Sequence, residues 1–136
     1  MAKLRRDFAL PEPDTEFLDA SGLPWETIVE GEVRWVLISG YPVHAGYNHA
    51  HGALALELSP SYPDTQIDMV YFHPQLVRMD RKAIAQVTER TIDGRPWQRW
   101  SRHRTAANPW RRGFDCIETH LLLVDEWLVR ELRKAA

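Results

Sequence analysis

The chain has 136 residues, 44% of them hydrophobic and 26% charged, with a formal net charge of -2. That length and balance describe an ordinary globular domain able to bury a core, and they exclude a disordered or low-complexity polymer. The near-neutral charge excludes a general pull towards nucleic acid or anionic membrane, although arginines gather between Arg90 and Arg112.

A single cysteine, Cys116, leaves no internal disulfide framework and points to a reducing, cytoplasmic setting. The start Met1-Ala2-Lys3-Leu4-Arg5-Arg6 is basic, but no long apolar run follows it as in a signal peptide, and no stretch is apolar for long enough to span a membrane. One domain is therefore expected over residues 1–136, with residues 1–10 as a flexible lead-in. Six tryptophans (25, 35, 97, 100, 110 and 127) bring large apolar area, and most are expected in the core.

After the lead-in, Asp14 is placed to cap a short helix through Leu18, which Gly22 and Pro24 stop. Trp25–Glu30 and Val33–Ile38 are rich in β-branched and aromatic residues and flank a turn at Gly31, so they read as a hairpin. A loop from Pro42 to His51 carries three histidines. Ala53–Leu58 reads as a third strand, a Pro-rich turn follows at Ser59–Asp64, and Ile67–Phe72 reads as a fourth strand. From Gln75 to Pro109 the pattern is irregular, and loops of that length are often functional. Phe114, Ile117, Leu121, Val124, Leu128 and Leu132 then recur at spacings of three and four, predicting a helix over 114–133 with one buried stripe. The order predicts an α+β fold: a short N-terminal helix, a four-stranded antiparallel meander, a long loop region and a closing C-terminal helix.

The segment Gly52–Pro63, a strand running into Pro60-Ser61-Tyr62-Pro63, followed by an extended run ending at Phe72, resembles the ubiquitin-conjugating enzymes. Asn108-Pro109-Trp110 and the helix after it resemble the part of those enzymes that follows their active-site loop. The stretches Leu23–Thr27, Gly46–His49, Tyr62–Met69 and Trp97–His103 look most like a bacterial family of conjugating-enzyme-like proteins found beside ubiquitin-like, activating-enzyme and deubiquitinase-like proteins. The resemblance runs from Trp25 to Leu132 and implies a UBC-like fold. It also implies an acyl carrier that takes a ubiquitin-like protein from an activating enzyme and passes it to an amine on a target. Two departures stand out. The His-Pro-Asn motif of the eukaryotic enzymes has only His73-Pro74-Gln75 as a counterpart, far upstream, and no cysteine lies in the loop before Trp110.

Such a carrier needs a nucleophile on an accessible loop, a group to manage its proton and donors for the oxyanion. In the family pattern the nucleophile shortly precedes the loop tryptophan, and Ser101 precedes Trp110 by nine residues. A serine hydroxyl needs a base; His103 is two residues on, on the same side if the segment is extended, and His49 is a second candidate. Asn48 or Asn108 is placed to assist the oxyanion, and Arg99, Arg102 and Arg104 suit an acidic or carboxyl-bearing partner. The carried species would be an oxyester. The alternative nucleophile is Cys116, with His120 one helical turn on to lower its pKa, against a reading of Cys116 as a packed small hydrophobe. His44, His49 and His51 lack a fourth ligand of known spacing, so no metal is expected. No cofactor is expected either, ATP being used by the activating enzyme. A non-catalytic adaptor that binds a ubiquitin-like protein is the competing function.

Overall fold

A computed structural model describes residues 3–134; the first two residues of the expected lead-in and the last two of the expected domain lie outside them. The apolar residues of the meander alternate between two faces. In β1 (Trp25–Glu30), β2 (Val33–Pro42), β3 (His51–Leu58) and β4 (Val70–His73), Trp25, Val36, Ile38, Leu54, Leu56, Val70 and Phe72 point into one core. Their neighbours Ile28, Trp35, Leu37, Ala55 and Tyr71 form a second one. A strand buried on both faces reads as a continuous apolar run, as Trp35–Ile38 does.

Two helices cover the first face. In α1 (Glu12–Ser21) Leu18 enters the core, while α2 (Ile117–Leu132) contributes Ile117, Leu121, Val124 and Leu128, flanked by His120, Leu123 and Trp127. Gly22 ends α1 in the left-handed conformation, its N–H donating to the Asp19 carbonyl. Asp14 is not the cap: Pro11 takes that position. Asp14 lies buried in the first turn, where its carboxylate accepts the Tyr62 hydroxyl at 2.7 Å and the free Ile117 N–H of α2 at 3.1 Å. Phe114 also leaves the predicted stripe. It is 61% exposed, because the chain turns at Arg111–Phe114 and α2 starts only after Cys116.

The stretch expected to be irregular holds a hairpin. β5 (Val87–Ile92) and β6 (Arg95–Trp100) pair antiparallel about Asp93-Gly94, both at positive φ (54° and 75°) as a tight two-residue hairpin turn demands. The sheet is therefore six-stranded, in the order β1-β2-β3-β4-β6-β5, rather than four-stranded. The fourth strand is shorter than expected, starting at Val70, because Met69 sits at φ 57° and breaks the extended run.

The two ends of that order meet. Arg5 donates to Glu26 of β1 at 2.9 Å and to Asp93 of the β5–β6 turn at 2.7 Å, and the Asp93 N–H donates to Glu30 at 2.9 Å. The curled hairpin thus closes over the second face, burying Ile92 and Trp97 with Trp35, whose ring meets Tyr71 edge-on at 5.0 Å. The lead-in is tied down as well, with Arg6 pairing parallel to Thr27 along β1. Hydrogen bonds from Arg5 hold both carboxylates below their usual range. All three residues are partly exposed, so Arg5→Ala is expected to cost less than about 1 kcal/mol in urea denaturation. A larger loss would mean that the hairpin, and not merely the pair, has come away.

Candidate functional site

Ser101 follows the last residue of β6. Val70 pairs with Trp100 as the last pair of the β4–β6 ladder, and just beyond both strand ends the Met69 N–H donates to the carbonyl of Arg102 at 3.0 Å. Ser101 thus lies between the end of the ladder and that hydrogen bond. The Arg102 N–H closes a tight turn onto the Trp100 carbonyl across Ser101 at 3.0 Å. The backbone at 101–103 is therefore not the simple extended run on which the expected alignment of Ser101 and His103 rests. Ser101 is half-buried and held by its main chain: its N–H donates to Gln86 at 3.0 Å and its carbonyl accepts from Arg102. Its hydroxyl bonds to none of the described residues, His103 included.

His103 is 61% exposed, and its Nδ1–H donates to Asp68 Oδ2 at 2.7 Å. Beside it a shallow cleft of about 130 Å³ is lined by Arg102, His103, Trp127, Arg130, Glu131 and Lys134. Asn48 exchanges hydrogen bonds with Val77, donating its N–H at 2.9 Å and accepting at Oδ1 at 2.8 Å. The neighbouring Tyr47 ring lies edge-on to Trp100 at 6.1 Å, and its hydroxyl donates to Leu128 at 2.6 Å. The Asn48–His49 loop is thus packed next to the residue that precedes Ser101. His49 is half-buried, and His44 donates its Nδ1–H to the Ala45 carbonyl at 2.7 Å. Among the described residues no group of three His, Cys, Asp or Glu side chains converges as a metal would need.

The other candidates lie towards the far end of α2. From Arg102, paired with Glu131 at 3.0 Å, the chain runs back along the helix to Cys116. Some fifteen residues of helix, roughly 20 Å, separate those two points. Cys116 is half-buried at the N-cap, its N–H donating to Thr119 Oγ1 at 2.9 Å. His120 is fully buried. Its Nε2–H donates to the Met69 carbonyl at 2.9 Å and its Nδ1 accepts from Arg104 at 3.1 Å, which leaves neither nitrogen for Cys116. Burial pushes the His120 imidazole down to about 4. Asn108 is exposed in a turn, its N–H donating to Thr105 at 2.9 Å. The structure brings Ser101, His103 and Asn48 towards the C-terminal half of α2, through Arg102 to Glu131, the cleft at Trp127–Lys134 and Val77 beside Arg78, and sets Cys116 at its start.

Two arginines of the cluster, Arg102 and Arg104, turn inward, while Arg111 and Arg112 stay exposed. Arg104 is 4% exposed in its side chain and serves Ile67, His120 and Asp115, while Arg102 stacks over Trp100 at 4.7 Å and pairs with Glu131. Arg104 cannot therefore greet a partner, as the sequence suggested. Two residues that sequence reasoning missed are Asp68, the partner of His103, and Arg78, whose guanidinium closes the end of α2. Asp68 lies within the Tyr62–Met69 stretch that carries the family resemblance, but nothing local marks it as the partner of His103, and only the fold brings either residue to its partner.

The family model described as prokaryotic E2 family E matches residues 10–131. Neither the curated proteins nor the solved structures yield a match. The α+β order, the meander running into the Tyr62-Pro63 turn, and the tryptophan-bearing loop ahead of α2 all lie within the matched span. With nearly the whole chain inside that match, the protein belongs to prokaryotic E2 family E, a bacterial family of the ubiquitin-conjugating-enzyme type.

Proposed function

We propose that this protein is an acyl carrier. It accepts the C-terminal acyl group of a ubiquitin-like protein from an activating enzyme onto Ser101 as an oxyester and passes it to an amine of a target. The observation that carries the reading is the Ser101 hydroxyl, which has no partner among the described residues and stands just past the end of β6, in a chain whose family is of conjugating type. In loading, Ser101 Oγ bonds to the carbonyl carbon of the incoming thioester, the carbon–sulfur bond breaks, and the hydroxyl proton ends on the departing thiol. His103 is the base nearest in sequence, and Asn48 and His49 line the neighbouring loop. No deep cavity is needed, since the substrate is the tail of another protein. Two wider grooves, of about 500 and 530 Å³, are lined by none of these residues. The carrier would act in a reducing cytoplasm, where the lone cysteine stays a thiol.

The test is intact mass after incubation with ATP, the matching activating enzyme and its ubiquitin-like protein. The expected result is one added ubiquitin-like mass that survives thiol reductant, falls to hydroxylamine, persists in Cys116→Ala and is absent in Ser101→Ala. An adduct unaffected by Ser101→Ala sinks the assignment. A second reading, a non-catalytic adaptor that holds a ubiquitin-like protein, has in its favour that no cysteine precedes Trp110 and that Cys116 serves as a helix cap. Binding without any adduct would establish it.

A further inference from the structure

Asp68 Oδ1 is the only buried side-chain nitrogen or oxygen among the described residues that finds no hydrogen-bond partner. Buried polar atoms are nearly always satisfied, and the exceptions gather where a group has work other than stability. The other oxygen, Oδ2, takes the Nδ1 proton of His103 at 2.7 Å. The pair sits just past the end of the β4–β6 ladder, where the Met69 N–H donates to the Arg102 carbonyl at 3.0 Å and so holds the two residues next to Asp68 and His103 together. With Oδ1 shut away from water, the carboxylate meets its one donor at the imidazole. The remaining ring nitrogen, Nε2, has no partner among the described residues, on a side chain 61% exposed.

We infer that Asp68 is a positioning residue for the discharge step: by holding the Nδ1 proton it fixes the tautomer and ring plane of His103, so that Nε2 is the base for the incoming amine. The inference rests on the acyl-carrier reading above. The amine nitrogen bonds to the ester carbonyl carbon, the carbon–Oγ bond to Ser101 breaks, and an amine proton passes to Nε2 and from there to the departing Oγ. The products are an amide and free Ser101, with no oxidant or further reactant. Asp68 takes no proton in this sequence, and its carboxylate stabilises the transient imidazolium, the part an acidic partner plays behind a catalytic histidine.

Two measurements test this. Ring-nitrogen NMR of the neutral His103 imidazole in the unmodified protein is expected to show Nδ1 protonated and Nε2 bare. In Asp68→Asn the Nε2–H form is expected to dominate. Separately, the isolated ester is mixed with free lysine and its discharge followed by intact mass. His103→Gln is expected to slow discharge about 100-fold and Asp68→Asn about tenfold, the range of a positioned base and its support. A Nε2–H tautomer in the unmodified protein overturns the inference whether or not the variants fold. So does an Asp68→Asn ester that discharges at the unaltered rate, while leaving the carrier reading intact. Absence of any ester overturns the carrier reading, and the discharge role with it.

Discussion

Arg78→Ala is expected to lower the stability of the protein by about 3 to 5 kcal/mol, among the largest losses any single substitution here should produce. The last carbonyls of a helix have no partner within the helix, and burying them unpaired is costly. Arg78, 1% exposed in its side chain, answers that need: Nη1 donates to Glu131 at 2.8 Å and to Lys134 at 3.2 Å, and Nη2 donates to Leu132 at 3.2 Å. Its charge faces the negative end of the α2 dipole, and Asp80 balances it at 2.6 Å. Truncation takes a donor from three carbonyls, of which only that of Glu131 keeps another among the described residues, the Lys134 N–H at 3.2 Å, and opens a void in the same stroke. Arg78→Lys keeps the charge but not the planar fork, so it should recover only part of the loss. Flanking residues tie this segment to the Asn48 loop, with Met79 donating to Gly46 at 2.9 Å. The unfolding free energy from urea titration at constant slope decides the matter. A loss under about 1 kcal/mol would mean that water reaches the helix end.

Acidification should reveal His120. Burial holds its folded pKa at about 4, against an ordinary value of 6.5, so between those values the unfolded chain binds a proton that the folded one refuses. Stability therefore rises with pH across that window. It is undiminished above about 6.5, falls as the pH drops, and levels out below about 4, with a loss of about 2 kcal/mol by pH 5. The groups around the ring act on it too: Arg104 pushes the pKa further down, while Asp68, Asp115 and the hydrogen bond to Met69 resist. Other groups titrate lower. Asp80, Asp93, Glu26 and Asp115 are depressed, so what they contribute is lost as the pH falls through the carboxylate range. Asp14 and Asp125, raised by burial, act in the opposite sense. The comparison is therefore with His120→Gln, which keeps a donor and an acceptor but does not titrate. The difference between the two proteins should shrink by about 2 kcal/mol from pH 7.5 to pH 5. A pH-independent difference would show that His120 charges in place.

The hairpin β5–β6 shows how a signal can be present and still be outvoted. Asp93-Gly94 between two runs of six is a strong hairpin mark, but Glu89, Arg90, Arg95, Arg99 and Pro96 hide the alternation around it. Those residues are tolerated because β5 is an edge strand and β4 reaches only Gln98–Trp100 of β6, leaving Pro96 outside the inner ladder. The end of β6 at Ser101 is of another kind. No residue near it differs from an ordinary strand interior, and the strand stops there because its partner β4 stops at Val70, where Met69 turns to φ 57°. His103 was legible by its closeness to Ser101, whereas Asp68, 35 residues away, was not.

Local chemistry alone determined the hairpin at Gly31, the stripe on α2, the Pro-rich turn at Ser59–Asp64 and the motif order that marks the family, because each depends on residues within a few positions of one another. Tertiary structure decided that the sheet curls until Arg5 meets Asp93, that Arg78 closes α2, that Arg104 and His120 are buried together, and that Ser101 lies towards the C-terminal half of α2 and Cys116 at its start. Those outcomes rest on pairings between distant segments, whose partners are selected only when burial removes water as the competing ligand.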